Sequence, residues 1–198
     1  MCKRLFDILL STVGLALLSP ILFIIAILIR REDGGSVFYR GERVGRTGKP
    51  FQIYKFRTMV VNADRLGPSS TTEEDPRITG VGRSLRKYKL DELPQLLNVF
   101  LGQMSIVGPR PQVPWAVQLY SAEESRLLNV RPGITDYASI QFRHEAAILK
   151  GSSNPDQDYL EKIAPEKLRL ALQYVDSMSL WTDLRIIFRT LAILFRDE

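Results

Sequence analysis

Residues 5–29 carry one charged side chain, Asp7, in a run dense in leucine, isoleucine and valine. As a helix rising about 1.5 Å per residue, the run would extend roughly 37 Å, enough to cross a hydrocarbon core of about 30 Å. It is longer than the apolar core of a secretory signal and shows no small-residue cleavage site. Ser19 and Pro20 fall near its middle. A proline there removes a backbone hydrogen bond and crowds the preceding turn, so a kink or break is expected. Lys3 and Arg4 precede the run and Arg30 and Arg31 follow it, and the positive-inside tendency draws both ends to the cytoplasmic side. A helix-break-helix that enters and leaves by one leaflet accounts for both facts. A kinked transmembrane helix is the alternative.

Beyond Arg31 the pattern becomes that of a soluble domain. Residues 32–35 read as a turn. Residues 37–40 and 51–59 read as short strands joined by a glycine-rich basic loop, 41–49, which has neither Walker A nor dinucleotide spacing. Residues 62–76 are polar and read as a surface loop, and 81–90 as a basic helix. A further helix is expected from about Asp91, with Pro94 in its first turn and Leu93, Leu96, Leu97, Phe100 and Leu101 on a buried stripe. Gly102 is a suitable stop. At the C-terminus, residues 180–195 are rich in leucine, isoleucine, phenylalanine and tryptophan, with Asp183, Arg185, Arg189 and Arg196 interspersed or following. This is the pattern of an amphipathic helix lying either in a membrane interface or on the domain core. Trp181 and Trp115 suit a headgroup position or a core.

Composition narrows this picture modestly. With 198 residues, 45% hydrophobic and 25% charged, the chain is long enough for one domain with a sizeable core and an appendage. The net charge of +5 fits anionic lipid, phosphate or nucleic acid equally. One cysteine, Cys2, precludes an internal disulfide. One histidine, His144, argues against a His-rich metal site or a Ser-His-Asp triad.

The candidate chemistry lies between residues 83 and 111. Asp91 and Glu92 follow a cationic run of Arg83, Arg86, Lys87 and Lys89. Carboxylates in a first helical turn face the positive end of the helix dipole and stay ionised, as a nucleophile or a magnesium ligand must. The plain alternative is a capping aspartate beside a paired glutamate. Arg110 stands between two prolines in GPRP (108–111), so its guanidinium projects from a stiff stretch suited to phosphate. A structural turn whose arginine pairs with a carboxylate is the alternative. RPGIT (131–135) repeats a basic residue, Arg131, beside a turn.

Taken together, these segments resemble the bacterial sugar transferase family, the monotopic phosphoglycosyl transferases. The resemblance runs nearly the full length. It includes the apolar segment with Ser19 and Pro20, YKFRTM (54–59), LDELPQ (90–95), NV (98–99), MS (104–105), VGPRP (107–111) and RPGIT (131–135).

The resemblance implies an α+β fold: a mainly helical small domain with a short antiparallel β element, an N-terminal re-entrant membrane helix and amphipathic interfacial helices. Residues 1–31 would form the re-entrant segment, broken at Ser19 and Pro20. Residues 32–198 would be a catalytic domain on the cytoplasmic face of the bacterial inner membrane. The implied reaction moves a sugar-1-phosphate from a UDP-sugar to polyprenol (undecaprenyl) phosphate and releases UMP, the first membrane step of glycan assembly. Asp91 would be the nucleophile forming an aspartyl-phosphosugar, and Glu92 would hold Mg2+. Arg110, Arg86, Lys55 and Arg131 would bind substrate phosphate, and Asp183 would support the site. The implied partners are the donor, the acceptor and membrane lipid, with a homodimer allowed and nucleic acid not expected.

The chain departs from the family after RPGIT. A Gly-Trp-Ala-Gln element and an Asn-Gly pair give way to DYASIQFR (136–143), which points to a different donor. His144 and Glu145 in that loop are either substrate contacts or solvated. Lys89 replaces a small residue, and Gln103 an acidic one, without touching the dyad. With no transmembrane helices before Met1, the chain resembles the minimal form of the family. An inactive membrane-anchored scaffold of the same fold is the other function class, against which the intact Asp91, Glu92 and Arg110 argue. A nucleic-acid module lacks a recognisable motif.

Overall fold

In the computed structural model the apolar run is helical throughout, as α1 (Cys2–Asp33). The structure describes residues 2–67, 72, 74–143, 145–152 and 154–194. Among these, α1 is the one helix long and apolar enough to cross a membrane. Only 11% of its most apolar stretch is buried against protein, so it is not a core helix. The backbone stays helical through Ser19 and Pro20, one element where a helix-break-helix was expected. The local reason is a substitute donor. Pro20 has no N–H to offer the Ala16 carbonyl four residues back, and Ser19 Oγ donates to it instead at 2.8 Å.

Both ends of α1 are fastened to the domain. At the N-terminal end, Lys3 Nζ donates to Asp183 (2.5 Å) and to the Val107 carbonyl (3.0 Å). Arg4 donates to the carbonyls of Val99 and Phe100, and buried Asp7 accepts from Ser105 Oγ and Ile106 N–H. At the other end, Ile25 and Ile29 pack with Phe56 and Leu85. Between these anchors Leu9, Leu17, Phe23 and Leu28 point outward.

An antiparallel hairpin follows, β1 (Phe38–Val44) with β2 (Pro50–Phe56), in register from Phe38 opposite Phe56 to Val44 opposite Pro50. Backbone pairing carries β1 four residues into the stretch read as loop. The basic helix is α2 (Gly80–Lys87), capped by Thr79 Oγ1 accepting from Gly82 N–H. The next α-helix, α3, spans Gln95–Phe100 and starts later than expected. Residues Leu90–Glu92 form a 3-10 turn instead. Pro94 cannot donate to the Leu90 carbonyl, which takes the Leu93 N–H at 3.3 Å. Gly102 ends this region with φ +85°. The expected buried stripe also differs: Leu97, Phe100 and Leu101 are exposed, and α3 buries Gln95, Asn98 and Val99.

A second, parallel pair joins β3 (Ser105–Val107) to β4 (Gly133–Thr135), which no sequence period announced. The short helices α4 (Pro114–Val117), α5 (Tyr137–Gln141), α6 (Glu145–Ile148) and α7 (Pro155–Asp158) lead to a π turn (Tyr159–Ile163), α8 (Ala164–Asp176) and α9 (Leu180–Leu194). His144, Phe195 and Arg196 lie outside the described residues. On α9, Asp183 and Ile186 are buried while Trp181, Phe188 and Leu191 are exposed, as is Trp115. The cores are Ile25, Ile29, Phe56 and Leu85 under α1; Phe51, Ile53, Val99 and Met104 under the hairpin; and Val107, Tyr174 and Ile186 between β3, α8 and α9.

Candidate active site

The candidate carboxylates sit on the turn between α2 and α3. Lys89 makes that turn with a left-handed backbone, φ 55°, a conformation costing a residue with a Cβ roughly 1–2 kcal/mol. Immediately after it, Asp91 is 8% exposed, while Glu92 is reached by two cations. Lys55 Nζ donates to Glu92 Oε1 at 2.7 Å. Arg110 Nη2 donates to the same oxygen at 2.5 Å, and Nη1 reaches Oε2 at 3.3 Å. Burial by itself would raise the Glu92 pKa, but Arg110 and Lys55 outweigh it and hold the carboxyl well below its usual range.

Asp91 is in the opposite condition. It accepts no hydrogen bond from the described residues, and burial raises its pKa despite the pull of Lys55, Arg86 and Lys89, with the Glu92 charge adding to the rise. One carboxylate of the pair is thus neutralised and fixed, and its neighbour is left with unengaged electron pairs. The expected support from a helix dipole is missing here, because the α-helix begins only at Gln95, and burial is the largest influence on the Asp91 carboxyl.

Each of these cations is held in place by neighbouring structure. Lys55 lies on β2, and the free edge of β2 is clipped by Asn98 of α3. Asn98 Oδ1 accepts from Tyr54 N–H at 2.9 Å, and Nδ2 donates to the Gln52 carbonyl at 2.8 Å and to Gln103 Oε1 at 2.7 Å. Arg110 follows Gly108 and Pro109, whose backbone is bonded to β4: Gly108 N–H donates to Thr135 O at 3.0 Å and Gly133 N–H to Pro109 O at 2.9 Å. The two chains approach closely enough that a Cβ on Gly108 would lie 2.5 Å from the Arg131 carbonyl. RPGIT is therefore the platform for GPRP. Arg86 is held by Thr58 Oγ1 at 2.8 Å, and burial lowers its pKa against the opposing pull of Asp91.

Lys89, the last member of the cationic run before the dyad, is exposed, yet desolvation lowers its pKa, with Glu92 and Asp91 opposing and Arg110 and Lys55 reinforcing.

Two expected residues stand elsewhere. Arg131 Nε donates to the Gly102 carbonyl at 2.9 Å. Asp183 is fully buried between Lys3 and Tyr174, whose hydroxyl donates to it at 2.7 Å. It fastens α1 and makes no contact with the dyad. In the altered loop, buried Asp136 caps α5 by accepting from Ser139 N–H at 2.7 Å, and burial raises its pKa. Sequence reasoning missed the clip role of Asn98. An amide on the inward face of an apolar helical stretch was the available signal.

A profile of the bacterial sugar transferase family matches residues 1–197. The exopolysaccharide production protein ExoY of Rhizobium meliloti (strain 1021) is 40% identical over 206 residues, covering 96% of this chain and 84% of its own. The UDP-glucose:undecaprenyl-phosphate glucose-1-phosphate transferase of Escherichia coli (strain K12) is 40% identical over 192 residues, 95% of this chain and 39% of its own. The undecaprenyl-phosphate galactose phosphotransferase of Salmonella typhimurium is 36% identical over 211 residues, 99% of this chain and 41% of its own.

Proposed function

Because this chain belongs to the bacterial sugar transferase family, we propose that it moves a sugar-1-phosphate from a UDP-sugar to polyprenol phosphate and releases UMP. The observation that carries the reading is the asymmetric dyad. Glu92 is clamped by Lys55 and Arg110, and buried Asp91 is unengaged beside cations. In the first half-reaction an Asp91 oxygen attacks the sugar-bearing phosphorus. The bond from that phosphorus to the bridging oxygen breaks, and UMP leaves with the electron pair. In the second, a phosphate oxygen of the polyprenol phosphate attacks the same phosphorus, and the Asp91 carboxylate is the leaving group. Two unlike substrates thus use one site in turn. Arg110, Arg86, Lys55 and Lys89 offset the repulsion between carboxylate and diphosphate and stabilise charge developing on the phosphoryl oxygens.

The residues present fit magnesium. Among the described residues no group of three or more His, Cys, Asp or Glu forms an all-protein cage. One or two carboxylates completed by substrate phosphate oxygens is the usual magnesium donor set. Glu92, with its lightly engaged Oε2, would hold the ion, which would neutralise charge on the diphosphate.

The membrane placement rests on α1. Lys3 and Ile29 contact the same domain from the two ends of one apolar helix. A helix fastened at both ends to one domain cannot put those ends on opposite faces of a bilayer. This supports a monotopic segment, held from the cytoplasmic side of the inner membrane with both of its ends on that side. The exposed apolar residues of α3 and α9, Trp181 among them, suit the same interface. The test is UMP release by purified protein with magnesium, polyprenol phosphate and a panel of UDP-sugars. Release is expected with at least one donor and none from Asp91→Asn. Release persisting in that variant removes Asp91 as nucleophile, and no release with any donor favours the inactive scaffold.

A further inference from the structure

α3 buries two side-chain amides, and they differ in what they bond. Asn98 engages both of its polar atoms, on β2 and on Gln103. Gln95, about one turn earlier, is 1% exposed, and its enclosed Nε2 has no hydrogen-bond partner. An enclosed donor without an acceptor is unfavourable, and an apolar side chain of the same shape would relieve it. The amide is accounted for if its acceptor turns toward it only during the reaction.

The position of Gln95 says which acceptor that is. Helical side chains lean toward the N-terminus, so a residue covers the turn before its own Cα. The turn before Gln95 is Leu90–Glu92, and Leu93 and Pro94 keep helical φ and ψ between them. Gln95 lies four residues after Asp91 and three after Glu92, the two spacings at which helical side chains meet. Glu92 is already engaged by Lys55 and Arg110. Asp91 is buried too and accepts no hydrogen bond from the described residues. An enclosed donor without an acceptor and an enclosed acceptor without a donor thus occupy neighbouring places on one helical face. We infer that Gln95 is a positioning residue for the nucleophile: in the reacting complex its Nε2–H donates to one Asp91 carboxylate oxygen and leaves the other to attack phosphorus. The same bond serves the second half-reaction. As polyprenol phosphate attacks, the bond from phosphorus to Asp91 breaks and its electron pair returns to the carboxylate, whose charge the amide stabilises. This rests on the transferase reading above and adds to it the group that orients Asp91.

The experiment uses the full chain in nanodiscs. Gln95→Met keeps the length of the side chain and removes the donor. It should lower kcat and kcat/KM together by about tenfold or more, the loss of one hydrogen bond to a charged group, with each KM within about twofold of wild type. The melting temperature should stay level or rise, because an unsatisfied donor has been replaced by an apolar group. Gln95→Glu, which puts a carboxylate where the donor stood, should be slower still. Single-turnover measurements divide the reaction: the burst of UMP from donor alone reads the first half, and a chase with polyprenol phosphate reads the second. Both should slow in Gln95→Met. A kcat within about threefold of wild type would overturn the inference. So would a defect confined to one half-reaction, or one that appears in KM alone. A Gln95→Met chain that melts well below wild type or does not fold would also overturn it, since the amide would then already be engaged in the resting chain. Absence of UMP from wild type with every donor is a separate outcome, which fails the transferase reading and this inference with it.

Discussion

The fastening of α1 to the domain depends on a charge pair whose two members differ in their access to water. Asp183 is fully buried, whereas the Lys3 side chain is 28% exposed. Replacing Lys3 by Met keeps the aliphatic stem but leaves the Asp183 carboxylate buried with the Tyr174 hydroxyl as its remaining donor. Removing one partner of a buried pair costs about 3–5 kcal/mol, mostly through the uncompensated charge. Replacing Asp183 by Asn instead leaves an ammonium that can turn to water and an amide oxygen that still accepts from Tyr174, at a cost of about 1–2 kcal/mol. The double variant removes both charges, so it should be more stable than Lys3→Met alone. For a chain of this size each kcal/mol moves Tm by roughly 2–4 °C, so Lys3→Met should lower Tm by roughly 6–20 °C. The assay is thermal unfolding in nanodiscs followed by tryptophan fluorescence, since Trp181 lies on the same helix as Asp183. A cost for Lys3→Met below about 1 kcal/mol, or single-variant costs that add to within about 0.5 kcal/mol in the double variant, would refute the reasoning.

Four further outcomes are expected. Because burial raises the Asp91 pKa, the native state disfavours that charge, and stability falls as pH rises from the unfolded pKa through the folded one; Asp91→Asn should therefore raise Tm at pH 7 while abolishing UMP release, which paired melting and activity measurements check. Asn98→Leu strands the Tyr54 N–H and the Gln52 carbonyl; it should cost about 3 kcal/mol or more and lower kcat by loosening Lys55 from Glu92, and an unchanged melt would contradict the clip. Gly133→Ala would drive a methyl into the Gly108 backbone; about 1–3 kcal/mol of overpacking and a raised donor KM from a displaced Arg110 are expected, by melting and steady-state kinetics. Arg57 holds the Asp33 pKa down at about 2, a contribution that is full above about pH 3.8 and lost as pH falls through about 2. At a partly exposed surface it is worth about 1 kcal/mol, so denaturant midpoints of Asp33→Asn and wild type should differ at pH 7 and converge by about pH 2.

Much of the site was legible because its residues are local or conformationally marked. Asp91 and Glu92 are adjacent, Arg110 is stiffened by its prolines, and the apolar run needs no partner to be visible. What escaped the sequence was set by distant contacts. The start of α3 depended on where the Leu90 carbonyl found a donor, and the stripe of Leu97, Phe100 and Leu101 looked like core because periodicity records a helix face without saying what covers it. Three-residue strands such as β3 and β4 are too short to carry a period, so the platform under Arg110 could not be anticipated. Asp183 and Arg131 carried the right chemistry for a site role, but pairing across 180 residues with Lys3 and bonding to the Gly102 carbonyl gave them structural work.

An apolar N-terminal helix, short strands and helices after it, and a dyad beside cations were readable from the residues alone, because those depend on composition, spacing and backbone restriction along the chain; the α+β domain followed from the family resemblance. Which carboxylate of the dyad is clamped by cations and which accepts no hydrogen bond was settled by long-range contacts. That choice rests on Lys55, brought by a strand 36 residues before Asp91, and Arg110, brought by a glycine-packed loop, both converging on Glu92. Electrostatic partnership falls off with distance in space, and no spacing along the chain specifies which of two adjacent carboxylates two remote cations will reach.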